Sequence, residues 1–236
     1  MTRISSHDPK LGATGKDRLA RLEHVVETWY EHRIAGPAGL VFTDVLDWHA
    51  RKVAGRFAAA GILSDGDRVL DIGSGTGELI VTLARLYPRS SFEGIDLSPG
   101  MVARGKAKIK AAGLSGRVRA SQGSAFELPF PDVSFEVAIS SWVLKHFSDE
   151  GLAVAWREAY RVLKPGGRLI ASEFGPARTP LLTPVTAWMS DAQKIRSWEE
   201  VALSLERAGF RSVERLTLMR FLIPPLPKLG FLALKP

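Results

Sequence analysis

The first quarter of the chain carries apolar residues at helical spacing. From Lys16 onward they recur every three or four residues and form one apolar face, which ends at the helix-breaking pair Gly36-Pro37. A second helix is predicted over residues 44–60, with Thr43 as its N-cap. The side chains predicted to point inward from these helices are Leu19, Leu22, Val26, Trp29, Val45, Leu46, Val53 and Phe57.

These two helices are expected to form an N-terminal helical cover over residues 15–61. Residues 1–14 are polar, contain proline and glycine, and are predicted to be a flexible arm. Aromatic side chains in the cover are expected to belong to the core, and some can roof an apolar acceptor pocket. These residues are Trp29, Tyr30, Phe42 and Trp48.

From residue 62 the pattern changes to strands that alternate with helices. Short apolar runs predict strands over residues 68–72, 91–95, 117–121, 135–140 and 168–174. Helices are predicted over residues 78–87, 99–113 and 152–163, and Ser98 is the predicted N-cap of the second of these. Such alternation is typical of a parallel sheet that is covered by helices on both faces.

The C-terminal part departs from this alternation. Ser197 and Glu200 have the spacing of a capping box, which opens a helix that ends at Gly209. Two apolar runs follow at residues 211–220 and 229–234, and the eight residues between them are too few for a helical crossover. The prediction is an α/β, Rossmann-like, mostly parallel seven-stranded sheet whose last two strands pair antiparallel, within a domain over residues 62–236.

The glycine-rich segment VLDIGSGTGEL, residues 69–79, is the strongest chemical signal in the chain. A strand runs into closely spaced glycines and then into a helix, so a ligand can approach the backbone and the positive end of the helix. The dinucleotide fingerprint G-x-G-x-x-G is missed by one residue, because Glu78 stands where its last glycine would be. This spacing disfavours a nicotinamide oxidoreductase.

The glycine spacing resembles motif I of class I S-adenosylmethionine-dependent methyltransferases. Further segments match that family in order, and RVLKPGGRLIASEF and LPFPDVSFEVAIS resemble its ubiquinone/menaquinone C-methyltransferases and their small-molecule relatives. The matching segments are residues 69–79, 93–101, 123–130, 135–146 and 160–169. The resemblance implies in-line transfer of a methyl group from S-adenosyl-L-methionine to a small apolar acceptor (quinone-like, lipid or natural product), with S-adenosyl-L-homocysteine as product.

The resemblance also implies a set of cofactor-binding residues. Asp96 ends the second strand and is expected to hold the two ribose hydroxyls, because a carboxylate accepts both hydrogen bonds. Ser124 stands where the family usually has an aspartate that accepts from the adenine amino group, so the Ala125 backbone N–H is expected to be the main adenine contact. Asp71 either pins the glycine loop or contacts the cofactor. The full predicted set is Asp71, Gly73, Ser74, Gly75, Gly77, Asp96, Leu97, Ser124, Ala125 and Ser140.

His146 is the candidate catalytic residue, because it follows the fourth strand beside the expected methyl-transfer centre. It can act as a base toward a phenol or enol, but a packed or loop-bonding histidine is the favoured interpretation. The other histidines lack metal-ligand spacing and the chain has no cysteine, so no metal site, thiolate nucleophile or disulfide is predicted.

Net charge changes this picture little. The value of +7 suits nucleic acid, an anionic membrane or an acidic small molecule, and it mildly favours an anionic or membrane-delivered substrate. The first helix is basic and amphipathic, which suits peripheral membrane contact, but Glu23, Glu27 and Glu31 favour packing on the sheet instead. No secretory signal or membrane span is recognised, so a cytoplasmic location is expected.

Two alternatives stay open at this stage. Nucleic-acid methylation is disfavoured because the fourth strand ends in Ser140-Ser141-Trp142-Val143 rather than Asn/Asp-Pro-Pro-aromatic, and because no cysteine is present for the covalent route. A catalytically silent S-adenosylmethionine-binding protein is compatible with every motif. The sequence leaves the acceptor, the methylated atom and the oligomeric state open.

Overall fold

A twisted sheet runs through the centre of the molecule. The computed structural model describes residues 15–34, 37–175, 194–216 and 228–236. The strands are β1 Arg68–Ile72, β2 Ser91–Asp96, β3 Val118–Gln122, β4 Phe135–Ser141, β5 Leu163–Phe174, β6 Arg211–Leu216 and β7 Lys228–Leu234. They form one seven-stranded sheet in the order β3-β2-β1-β4-β5-β7-β6, which confirms the predicted fold class.

Strand direction follows the prediction as well. β1 pairs in parallel with both β2 and β4, and the β2–β3 and β4–β5 pairs are also parallel. β7 is antiparallel to its neighbours β5 and β6, so the two tail strands pair antiparallel. The predicted sixth strand extended to Arg220, but residues 217–220 lie outside the described part of the chain.

Helices cover both faces of the sheet. They are α1 Gly15–Ile34, α2 Pro37–Ala59, α3 Glu78–Leu86, α4 Pro99–Ala111, α5 Asp149–Val162 and α6 Trp198–Arg207. Successive residues of a strand point to opposite faces, and Val69 and Leu70 of β1 accordingly belong to two different apolar clusters. One cluster includes Trp156 of α5 and the other includes Phe57 of α2.

The second helix begins earlier than its sequence pattern suggested. α2 starts at Pro37, because proline is well suited to the first turn of a helix. Thr43 is therefore not an N-cap: it lies inside the helix, where its hydroxyl donates to the carbonyl oxygens of Gly39 and Leu40. The inward orientation predicted for Val45 is also wrong, since 46% of this residue is exposed.

Two boundaries near β5 also differ from the prediction. α5 begins at Asp149 because Ser148 caps it, with the Ser148 hydroxyl accepting from the Gly151 N–H at 3.1 Å. β5 begins at Leu163, five residues before the predicted start, because Leu163 pairs with Phe135 of β4. The capping box at Ser197 is confirmed in both directions.

Candidate functional site

The main cleft lies outside the carboxyl ends of the parallel strands. The chain leaves β1 toward β2 on one side, while β4 lies on the other side of β1, and such a switch point is where open α/β sheets bind ligands. The cleft encloses about 1110 Å³ of space that is partly open to solvent. The loops after β1, β2, β3 and β4 line it, and α1 and α2 close it from above.

The glycine loop forms the floor of this cleft. Gly73, Ser74 and Gly75 line it, whereas Gly77 forms the N-cap of α3 with a φ of 72°. The Gly73 and Ser74 N–H groups donate to the Ile95 carbonyl oxygen at 2.9 and 2.8 Å, which ties the loop to β2. A Cβ at residue 73 would lie 2.2 Å from a methyl carbon of Val143, so this position requires glycine.

Asp71 is buried beside this loop without a compensating partner. Only 1% of the residue is exposed, and neither carboxylate oxygen has a hydrogen-bond partner among the described residues. Burial, with a further contribution from the charge of Asp96, raises the pKa of Asp71 to about 8. The interpretation that Asp71 pins the glycine loop is therefore wrong. A buried carboxylate of this kind suits a ligand that carries a cationic donor.

Asp96 performs the pinning instead. Its Oδ2 accepts from the Gly75 N–H at 2.8 Å and its Oδ1 from the Ser98 N–H at 2.9 Å. Burial raises the pKa of Asp96, although these backbone hydrogen bonds oppose that effect. Ser98 is the N-cap of α4, as predicted, and Asp96 and Leu97 both line the cleft.

Three predicted cofactor residues remain: Ser124, Ala125 and Ser140. Of these, only Ala125 lines the cleft. The Ser124 hydroxyl donates to Glu23 of α1 and accepts from the Phe126 N–H at 2.9 Å. Ser140 is buried and its hydroxyl donates to the Ile72 carbonyl oxygen at 3.1 Å, so it joins β4 to β1 and is not one of the cleft-lining residues.

His146 lines the cleft and contacts α1. Its Nε2 lies 3.0 Å from the Tyr30 hydroxyl oxygen, and only 5% of the residue is exposed. Burial, together with the charge of Lys145, lowers the pKa of His146 well below its ordinary value. The ring is therefore neutral at pH 7, so a base and a hydrogen-bonded packing residue are both consistent with its surroundings.

The cleft contains a second histidine, His49, which was not predicted from the sequence as a site residue. His49 of α2 stacks on Trp142 with ring centroids 3.5 Å apart, and its Nε2 lies 3.4 Å from the Ser141 hydroxyl oxygen. All three residues line the cleft. No local signal marked His49, because its partner Ser141 lies 92 positions away in the chain.

The loop after β4 is strained and firmly held. Trp142 has a φ of 64°. Positive φ angles are rare for bulky residues, and strained residues of this kind cluster at functional sites. Glu173 of β5 accepts from the Val143 and Leu144 N–H groups at 2.5 and 3.0 Å. Glu173 therefore fixes the backbone that borders the cleft, a role that no sequence pattern indicated.

Charged residues also tie α2 to the glycine loop. Lys108 of α4 lies 2.5 Å from Asp47 and 2.7 Å from Glu78, and Arg51 lies 3.2 Å from Glu78. Burial would raise the pKa of Glu78, but the hydrogen bonds and charges of Lys108 and Arg51 lower it overall. The Asp47 carboxylate also accepts from the Thr76 hydroxyl. These contacts neutralise the acid that replaces the last fingerprint glycine.

The α1 glutamates face the site rather than the solvent. Glu23 and Glu27 line the cleft, and Glu31 Oε1 accepts from the Ser98 hydroxyl and the Gly100 N–H at 2.5 and 3.0 Å. Neither a metal cluster nor a membrane span is present in the described part of the chain. No three His, Asp or Glu side chains there are placed to hold a metal, and no helix there is long and apolar enough to span a membrane.

Comparisons with known proteins agree with this geometry. Residues 69–167 match the model of a methyltransferase domain family. The chain is 33% identical to the ubiquinone/menaquinone biosynthesis C-methyltransferase of Psychromonas ingrahamii over 176 residues. This matched region is 73% of this chain and 64% of that protein. The Pasteurella multocida protein of the same name is 35% identical over 158 residues, or 66% of this chain and 56% of that protein.

Solved structures share the fold. The S-adenosylmethionine-dependent methyltransferase SibL has a TM-score of 0.72 at 23% identity, over 88% of this chain and 62% of that one. The [4+2]-cyclase SpnF has a TM-score of 0.65 at 26% identity, over 80% of this chain and 81% of that one. The chain spans less than two thirds of the length of the curated relatives described above. Residues 69–167 thus match a methyltransferase domain, and the chain is similar to the ubiquinone/menaquinone C-methyltransferases.

Proposed function

We propose that this protein transfers a methyl group from S-adenosylmethionine to a small, uncharged, largely apolar acceptor. The observation that carries the proposal is the buried Asp71 carboxylate, which lines the cleft beside the glycine loop and has no hydrogen-bond partner among the described residues. Burying a carboxylate without a hydrogen-bond partner costs folding free energy unless a bound ligand donates to it. The α-ammonium group of S-adenosylmethionine provides the required cationic donor.

The other groups around the glycine loop fit the rest of this cofactor. Asp96 has a carboxylate between the loop and α4, where it is suited to accept from two ribose hydroxyls. The apolar side chains of Ile95, Leu97, Ala125 and Phe126 line the neighbouring part of the cleft and suit a flat base. When bound, the cofactor supplies an electrophilic sulfonium methyl group, so the protein mainly has to orient the acceptor.

The lining of the cleft limits the charge of the acceptor. Among the described residues that line it, none is lysine or arginine, whereas five carry carboxylates: Glu23, Glu27, Asp71, Glu78 and Asp96. Glu78 is paired with Lys108 and Arg51, and Asp71 is expected to meet the cofactor's ammonium group. Glu23, Glu27 and Asp96 remain, and their charges disfavour a phosphate-bearing acceptor or a nucleic-acid backbone. The mild preference for an anionic acceptor drawn from the net charge is therefore not supported. Aromatic and aliphatic side chains, among them Trp142, Val143 and Phe147, also line the cleft and favour an apolar ring or chain.

Proton removal from a phenol or enol acceptor has two candidate residues in the described cleft. The ring of His146 is neutral at pH 7 and can accept a proton, although its Nε2 is within hydrogen-bond distance of the Tyr30 hydroxyl. His49 borders the same space beside Ser141. Replacing each histidine by glutamine and comparing pH–rate profiles separates a base from a positioning residue, since only the base should remove an ionisation from the profile.

Cofactor binding is the first test. Calorimetric titration with S-adenosylhomocysteine should show micromolar binding that Asp96→Ala abolishes, with NADH as a control ligand that should not bind. A methyl-transfer screen should then compare short-chain hydroquinones, phospholipid amines and transfer RNA. Binding of NADH in place of S-adenosylhomocysteine would overturn the proposal. Cofactor binding with no transfer to any acceptor class would favour a silent cofactor-binding protein.

We also propose that the acceptor reaches the protein at an anionic membrane surface. The exposed side of α2 carries large apolar side chains followed by basic residues toward its C-terminus, and one acid, Asp44, interrupts this pattern. The apolar members are Leu40, Val41, Val45 and Trp48, and the basic members are Lys52 and Arg56, whereas Arg51 on the same side is paired with Glu78. Apolar insertion combined with positive charge is the usual basis of interfacial binding.

Vesicle co-sedimentation tests this membrane proposal. The protein should pellet with phosphatidylglycerol vesicles but not with phosphatidylcholine vesicles, and Trp48→Ser should reduce pelleting several-fold. Leu203→Ser is the matched control, because Leu203 is 47% exposed but lies on α6. Equal loss in both variants, or no difference between the two lipids, would contradict the proposal.

A further inference from the structure

The direction in which the cofactor lies follows from the order of the strands. β1, β2 and β3 are neighbours, so their carboxyl ends place Asp71, Asp96 and Ser124 in sequence along one edge of the sheet. The cationic end of the cofactor is expected at Asp71, whose buried carboxylate requires a donor. The neutral adenine base then lies at the other end, next to the loop that follows β3.

Glu23 is a carboxylate at this base-binding end of the cleft. The Ser124 hydroxyl donates its hydrogen to Glu23 Oε1 and accepts from the Phe126 N–H, so its one hydrogen is already used. Glu23 lines the cleft and is half-buried, and Ser124 holds it against the β3 loop. Burial raises the pKa of Glu23, and the charges of Glu27 and Glu127 add to this effect while the Ser124 hydrogen bond opposes it.

Building on the function proposed above, we propose that Glu23 accepts a hydrogen bond from the exocyclic amino group of the cofactor's adenine. A carboxylate accepts more strongly than a hydroxyl, and a half-buried one strengthens the bond further. Helix α1 thus completes the cofactor site and sets its preference for adenine. Ala125, which lines the same end, remains suited to meet the ring through its backbone N–H.

The pairing also explains why residue 124 is a serine in this chain. An aspartate there would bring two carboxylates into contact, because Glu23 already occupies the space against residue 124. Like charges at this distance repel and destabilise each other. A serine instead donates to Glu23 and orients it. The carboxylate proposed to recognise the base thus belongs to α1 in this chain, and Ser124 in the loop after β3 orients it.

Two ligands that differ at a single substituent of the base test this assignment. S-Inosyl-L-homocysteine has a carbonyl oxygen where S-adenosyl-L-homocysteine has the amino group, so it removes the donor and adds an acceptor. Calorimetry on the full-length protein should show that the wild type prefers the adenosyl ligand by about 100-fold, since sites built around a hydrogen bond reject its absence strongly. Glu23→Gln should reduce this preference at least tenfold, because the amide can donate to the carbonyl oxygen.

Two further variants complete the design. Glu127→Gln removes a nearby charge on an exposed residue that is not one of the cleft-lining residues, and it should leave the preference unchanged. Ser124→Asp alone should weaken binding of the adenosyl ligand, and combining it with Glu23→Ser should restore the preference by returning the carboxylate to the loop. This double variant also provides the test if Glu23→Gln does not fold.

The outcomes separate this inference from the proposed function. An unchanged ligand preference in Glu23→Gln, with tight binding of the adenosyl ligand, overturns the role of Glu23 and leaves the cofactor assignment standing. A folded double variant without any preference overturns it in the same way. Failure of the wild type to bind either ligand overturns the cofactor assignment and, with it, this inference.

Discussion

Replacing Asp71 by asparagine should stabilise the ligand-free protein relative to wild type as the pH rises. The substitution keeps the size of the side chain and removes its charge. The pKa of Asp71 is raised from 3.8 to about 8 by burial and by the neighbouring charge of Asp96. Between these two values the folded state holds a proton that the unfolded state has lost, so the free energy of unfolding falls as the pH rises.

The size of this effect follows from the pKa. Within that range, each rise of one pH unit lowers the free energy of unfolding of the wild type by up to about 1.4 kcal/mol. From about pH 5 to about pH 8, wild type should therefore lose roughly 4 kcal/mol of unfolding free energy that Asp71→Asn retains. The difference between the two pH profiles is the quantity of interest, because a buried amide carries its own constant penalty of about 1–3 kcal/mol.

Urea denaturation followed by tryptophan fluorescence, in buffers of constant ionic strength, measures these profiles. Asp44→Asn is the control, because Asp44 is exposed on α2, and it should give the wild-type profile. The same asparagine variant should bind S-adenosylhomocysteine about 10- to 100-fold more weakly, as expected for the loss of a hydrogen bond to a charged group. Stability and ligand binding thus change in opposite directions at one residue.

Calorimetry in buffers of different ionisation enthalpy adds an independent measurement. At pH 7 a ligand ammonium group should displace the proton of Asp71, so wild type should release about one proton per ligand and Asp71→Asn none from this site. Parallel pH profiles for wild type and Asp71→Asn, together with equal proton release, would refute the view that this carboxylate is buried, uncompensated and satisfied by the cofactor.

Three further substitutions have defined outcomes. Gly73→Ala should lower the free energy of unfolding by about 2–4 kcal/mol and abolish S-adenosylhomocysteine binding by calorimetry, because its φ is 76° and the new Cβ would meet Val143. The lowered pKa of His146 means that wild type should lose up to about 1.4 kcal/mol of stability per unit as the pH falls below about 6.5, and His146→Gln should remove this slope in urea titrations whereas His24→Gln should not. Ser197→Ala should cost about 1 kcal/mol through loss of the α6 capping box, with no change in ligand affinity.

The parts of the fold that were predictable rest on local patterns. The order of strands and helices from β1 to α6 follows from segments whose apolar spacing changes between that of a strand and that of a helix. It follows also from the caps Ser98 and Ser197, whose partners lie three residues away. Two boundary errors have different causes. A distant contact decides the first, since pairing with β4 starts β5 at Leu163. The second is local, because Pro37 suits the first turn of a helix, so α2 begins there and Thr43 lies inside it.

By itself, the sequence determined where the proposed cofactor site lies: the glycine loop, Asp96 and the loop after β3 occur in segments whose short-range pattern places them at one edge of a parallel sheet. Only the tertiary structure decided which side chains meet there. Glu23 meets Ser124 across 101 positions, Tyr30 meets His146 across 116, and Asp71 is left without a hydrogen-bond partner among the described residues. Burial, pairing and charge depend on neighbours that are distant in the chain, and no periodicity within a segment carries that information.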